Sequence, residues 1–122
     1  MELEFTTTAC NRPELLDRTY SSFVKKLQGI NYEKSTLYIN IDPTPNLKSI
    51  WNVVKVAKKY FGKVIYNIPP TPNFTKAVMW CFNQPKGEYF FHLEDDWELR
   101  RPIHIQRILR KMGDESLSCA MK

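Results

Sequence analysis

The sequence is short of several features that mark common protein classes. Its three cysteines, Cys10, Cys81 and Cys119, are odd in number, far apart and without CxxC spacing, which argues against a disulfide framework and against a zinc site. They read as reduced thiols. No Gly-rich phosphate loop occurs, which counts against a P-loop NTPase and a dinucleotide-binding dehydrogenase. No apolar run approaches membrane-spanning length, and Met1 to Thr8 carries two acids without a long apolar stretch, unlike a signal peptide. A soluble, cytoplasmic protein with no membrane span is the expectation. A dense basic block is missing too. The lysines and arginines behind the net charge of +5 are spread along helical segments, so they read as solvated faces that favour an anionic substrate, and no nucleic-acid partner is expected.

What is present suits one folded unit. With 43% hydrophobic and 13% aromatic residues, the chain has enough apolar material for a single core over residues 1–122, and no repeat, low-complexity tract or linker divides it. Leu3 to Thr8 has the β-branched and aromatic character of a strand. Asn11-Arg12-Pro13-Glu14 then looks like a helix start, with Asn11 as cap, and Leu16, Tyr20, Phe23, Val24 and Leu27 recur at helical spacing until Gly29. A second unit follows: strand Thr36–Ile41, a break at Asp42-Pro43-Thr44-Pro45, and a helix bearing Leu47, Ile50, Trp51, Val54, Ala57 and Phe61, which Gly62 ends.

The third strand, Val64–Ile68, leads through a proline-rich turn to a helix from about Thr75 to Phe82. Tyr89–Leu93 is almost wholly apolar, as in a central strand buried on both faces of a parallel sheet. A last helix carries Ile105, Ile108, Leu109 and Met112 up to Gly113, and Leu117–Met121 has the makings of one more strand. Strands alternating with helices imply an α/β fold with a mostly parallel sheet and flanking helices.

In such a sheet ligands bind beyond the carboxyl ends of the strands, so the loops there share one rim. That rim collects Thr8, Ala9, Asn11 and Arg12 after the first strand, Asp42 after the second, Lys76 after the third and Glu94-Asp95-Asp96 after the fourth. Three consecutive carboxylates repel one another and are not all buried without a compensating cation. Oxygen ligands suit Mg²⁺ or Mn²⁺, which keep several waters and bridge carboxylates to substrate phosphates. The alternative is an exposed acidic cluster at a helix start, favoured by the helix dipole. Asp42 suits either a turn or the reading of donor groups on a base; Arg12 and Lys76 suit a diphosphate or open solvent. His92 and His104 lack ligand spacing and read as structural, and Trp51 and Trp80 as core. Trp97, beside the acids, suits packing against a sugar or covering the strand end.

The segments Phe5–Leu16, Asp42 and Gly87–Asp96 resemble, in that order, family 2 glycosyltransferases of the GT-A fold. The resemblance implies a Rossmann-like nucleotide-binding domain that takes a UDP-sugar donor and transfers the sugar to an acceptor, saccharide or other, that it does not identify. Carried over residue by residue, Thr8, Ala9 and Arg12 border the nucleotide, Asp42 contacts the uracil, Asp95 lies near the ribose and Asp96 holds the metal, Mn²⁺ or Mg²⁺. Lys76 is a weaker transfer. Glu94 stands where the family's acidic motif begins with Asp, and is left to hydrogen-bond nucleotide or neighbouring groups. The resemblance spans nearly all of this chain but about the first half of a usual catalytic domain, so no catalytic base is named. A minimal or truncated enzyme, a site completed by a partner or by a second copy paired through an open sheet edge, a non-catalytic sugar-nucleotide-binding module and a nucleotidyltransferase stay open.

Overall fold

The computed structural model describes residues 1–44 and 47–113. Its elements are β1 (Glu4–Ala9), α1 (Pro13–Lys26), β2 (Leu27–Gln28), a 3₁₀ turn (Tyr32–Lys34), β3 (Thr36–Ile41), α2 (Leu47–Tyr60), β4 (Lys63–Asn67), α3 (Phe74–Asn83), β5 (Phe90–Glu94), β6 (Ile103–His104) and α4 (Ile105–Met112). The alternation read from the sequence is there, in an α/β fold compatible with a Rossmann-like one. The strand suggested by Leu117–Met121, and Cys119, lie outside the described residues.

Four strands form a parallel sheet in the order β4-β3-β1-β5. The chain winds outward from β1 through β3 to β4, then crosses back and lays β5 on the other side of β1. Because parallel crossovers are right-handed, reversing direction also changes which face the helix covers. Accordingly α1 packs on α2 across one face, while α3 lies on the other, against β1 and β3.

The first face holds the core. Phe5 is fully buried, with Phe61 at 5.0 Å and Phe91 at 6.0 Å between ring centres; Tyr20 meets Phe61 edge-on at 5.1 Å and Phe23 meets Phe91 at 5.9 Å. The aromatic residues that recur at helical spacing in α1 meet Phe5 of β1 and Phe91 of β5 in one cluster. The opposite face is more polar, with Thr6, Thr8, Asn40 and His92 under or beside α3.

Several expectations need correction. The apolar strand is not central: among the described residues β5 is an edge strand, with Phe91 and Leu93 buried toward the helices and Phe90, His92 and Glu94 only half-buried. Trp51 is half exposed on α2, edge-on to Tyr66, and Trp80 is half-buried, so neither is a core residue. The capping position of α1 is Arg12, with no side-chain cap, and the Asn11 amide instead donates to Thr44 Oγ1 at 2.5 Å, tying the loops after β1 and β3 together. The small β2–β6 pair was not apparent in the sequence, being too short for any alternation to register. Among the described residues no helix is long and apolar enough to cross a membrane. Cys10 and Cys81 are free thiols.

Candidate functional site

The strand order reverses at β1, so the crevice beyond the carboxyl ends of β1 and β5 is the switch point at which open α/β sheets bind ligands. A cleft of about 300 Å³ opens there. Thr8 and Ala9 line its middle, Asp42 lines it from the end of β3, and Glu94, Asp95 and Asp96 from the end of β5, with Arg12 and Cys10 from the loop after β1. All but two of the residues singled out at this rim from the sequence share the cleft: Asn11 is turned to Thr44 instead of lining it, and Lys76 also lies outside it. Lys76 is exposed on α3; Phe74, two residues earlier, does line the cleft.

The three acids, indistinguishable in the sequence, have three different surroundings. Glu94 is half-buried and pinned: Thr8 Oγ1 donates to one carboxylate oxygen, and His92 Nε2 lies 3.3 Å from the other. Thr6 Oγ1 and His92 Nδ1, 2.8 Å apart, fix the imidazole in turn. Asp95 is buried. The Cys10 N–H donates to Oδ2 at 3.0 Å, Arg12 Nη2 to Oδ1 at 2.7 Å, and Thr19 Oγ1 to its backbone carbonyl at 2.7 Å. Burial pushes the Asp95 carboxyl above its ordinary value, against the Cys10 N–H and Arg12, which favour the charged form, and with Asp96, which disfavours it.

Asp96 is exposed and, among the described residues, accepts no hydrogen bond and enters no ion pair. No helix starts at this run: β5 passes into a turn at Asp95-Asp96, and α4 begins only at Ile105, which removes the helix-dipole alternative.

Across the cleft Asp42 is positioned by a chain of amides. Asn67 Nδ2 donates to Asn40 Oδ1 at 2.7 Å, and Asn40 Nδ2 to Asp42 Oδ1 at 3.3 Å; the Asp42 N–H donates to the Ala9 carbonyl at 2.8 Å. Asn40 is fully buried, and Asn67, Asn40, Thr8 and Glu94 occupy one register row across all four strands. This polar row underlies the rim.

The sequence reading missed His92, Asn40 and Phe74. Strand alternation puts residues 92 and 94 on one face, a signal that was available. Asn40 near the end of a buried strand was another, since a buried amide needs partners. Trp97 covers the strand end: it is half-buried against the core, and its ring meets His92 edge-on at 6.1 Å.

The cleft can hold a cation through Asp96 only with help, because among the described residues no three His, Cys, Asp or Glu side chains gather as a metal cage. A Mg²⁺-type ion that takes most of its shell from phosphates and water fits such a site. In comparisons with known proteins, no family model matches the chain and no curated protein matches it.

Proposed function

We propose that this protein binds a sugar nucleotide, a UDP-sugar, through a divalent metal at the β1–β5 rim, as a glycosyltransferase of the GT-A type resembling family 2. The observation that carries the proposal is the division of labour in the acidic run. Two of its carboxylates are spent on holding the loops, and the third, Asp96, stands unengaged in a switch-point cleft opposite Asp42. Since β3 and β5 flank β1, the Asp42 and Asp96 sides are two strand spacings apart, roughly 10 Å. That separation suits a nucleoside diphosphate laid across the rim with its base toward Asp42 and its phosphates toward Asp96.

In this arrangement Asp42 accepts from the donor groups of the base. Asp96 would hold Mn²⁺ or Mg²⁺ on the diphosphate, and the ion when bound supplies the positive charge that stabilises a departing nucleoside diphosphate. Arg12 keeps donors free beyond the one on Asp95, since its side chain is 48% exposed, and they suit the anionic end of the ligand. The Cys10 and Thr19 bonds to Asp95 and the Thr8 and His92 bonds to Glu94 keep the loop in place without ligand.

A second reading, a non-catalytic sugar-nucleotide-binding module, is favoured by one observation. Of the carboxylates lining the cleft, Glu94, Asp95 and Asp42 are all engaged by protein donors, which leaves, among the described residues, no unengaged one besides Asp96 to act as base on an acceptor. Turnover of a panel of sugar-nucleotide donors separates the two.

The test of nucleotide and metal together is calorimetric titration of UDP, GDP and CDP with Mn²⁺ and then with EDTA, on the wild type and on Asp96→Ala. Selective UDP binding that needs the metal and is lost in the variant is expected. Unchanged UDP affinity in Asp96→Ala would overturn the metal assignment, and no binding of any nucleotide would overturn the proposal as a whole.

A further inference from the structure

Phe74 is 62% exposed at the first position of α3, yet it lines the cleft. Its placement is built. Asn73 caps the helix by accepting from the Lys76 N–H at 3.1 Å, which fixes where the first turn starts. Helix α3 packs against β1 and β3, and at its far end Phe82 meets Phe90 and His92 of β5 at 5.3 and 5.2 Å. The helix thus follows β4, packs on β1 and β3, and ends against β5, while its first residue shares the cleft with Asp42.

Every other side chain lining the cleft is small, charged or a hydroxyl or thiol, so Phe74 is the one ring it offers among the described residues. Nor does Phe74 meet another aromatic ring among the described residues. An apolar ring left in water within a cleft of charged groups costs free energy that a flat ligand surface recovers.

From this geometry we infer that Phe74 is the stacking platform for the nucleobase, working with Asp42, which reads the edge of the same base. The inference rests on the nucleotide reading of the cleft. The base has two recognisable features, a π-face and an edge of donors and acceptors; Phe74 takes the face and Asp42 the edge. Stacking on a single ring tolerates any base, so Phe74 contributes affinity while selectivity among bases stays with Asp42.

The test compares UDP with inorganic pyrophosphate, both titrated in Mn²⁺, on the wild type, Phe74→Ala and Phe74→Tyr. Because Phe74 is largely exposed, both variants fold, as circular dichroism and a thermal melt will confirm. Phe74→Ala is expected to weaken UDP by roughly tenfold, within the range of base–aromatic stacking, and to leave pyrophosphate unchanged, while Phe74→Tyr keeps UDP affinity within about twofold. Equal loss for UDP and pyrophosphate, or UDP affinity unchanged in Phe74→Ala, overturns the stacking assignment while the nucleotide reading stands. Failure of the wild type to bind UDP overturns both.

Discussion

Arg12 and Asp95 form an ion pair at the rim, 2.7 Å between a half-exposed guanidinium and a buried carboxylate. The pair is lopsided: Arg12 keeps its hydration on one side, while among the described residues Asp95 has only Arg12 and the Cys10 N–H to offset its burial. Removing the guanidinium should therefore cost more than a surface ion pair is worth. Arg12→Met, which keeps the aliphatic stem, is expected to lower stability by about 1–3 kcal/mol in urea unfolding. The same substitution in an Asp95→Asn background should cost clearly less, because the buried charge has gone as well. Equal costs in the two backgrounds would mean that Arg12 stabilises the loop by packing alone. Asp42 and Asp96 show the opposite economy: neither is buried, and each keeps acceptor capacity toward the cleft.

At the scale of elements, the join between β1 and the turn before β5 depends on Glu4. Its carboxylate accepts from the Lys86 N–H at 3.0 Å, the Gly87 N–H at 2.6 Å and the Tyr38 hydroxyl at 2.9 Å, linking β1, β3 and the turn before β5 at the end of the sheet remote from the cleft. Burial pushes this carboxyl up, but those three donors outweigh it and the net shift is downward from the ordinary 4.5. A carboxyl depressed in the folded state stabilises above its unfolded value and loses that contribution as pH falls through the folded one. Glu4→Gln is accordingly expected to be less stable than the wild type by about 1–2 kcal/mol at pH 7. The gap should narrow below pH 4.5 and close once the wild-type carboxyl is protonated, as denaturant melts across that range will show. Gly62 acts at the same scale. Any side chain there would overlap the backbone carbonyl of Glu33, whose 3₁₀ turn accepts the Gly62 N–H at the Tyr32 carbonyl. The glycine that stops α2 also lets the chain pass that turn.

For the whole molecule, the cleft joins loops from β1, β3 and β5, segments otherwise held together by a few polar bonds such as Asn11–Thr44 and Arg12–Asp95. A ligand that spans all three binds the folded state alone, so it must raise the unfolding free energy by mass action. With UDP at a hundred times its Kd in Mn²⁺, the gain is about 2.7 kcal/mol, and Tm should rise by on the order of 10 °C. EDTA should cancel the rise. A shift with Mn²⁺ and no nucleotide would instead point to a metal held by protein groups alone. Among the described residues the other large exposed apolar groups, Met1, Trp51, Tyr66, Met79, Phe82 and Tyr89, lie outside this cleft.

The residues themselves determined the alternation of strands and helices, because strand-forming β-branched and aromatic residues run through Phe5, Thr6 and Thr7, and a helical spacing of three to four through Leu16, Tyr20 and Phe23. They also determined that the strand ends bear the polar and acidic residues, and hence which loops share a rim. Strand order, which sets β5 at the sheet edge and the switch point beside β1, was decided by the tertiary structure, since parallel pairing is made between segments up to 86 residues apart that carry no mark of their partner. So was the separation of Glu94, Asp95 and Asp96 into two anchored acids and one unengaged. Neighbouring carboxylates of nearly equal chemistry differ only in the donors that distant elements bring to them: Thr8 and His92 to one, Cys10 and Arg12 to the next, and among the described residues none to the third.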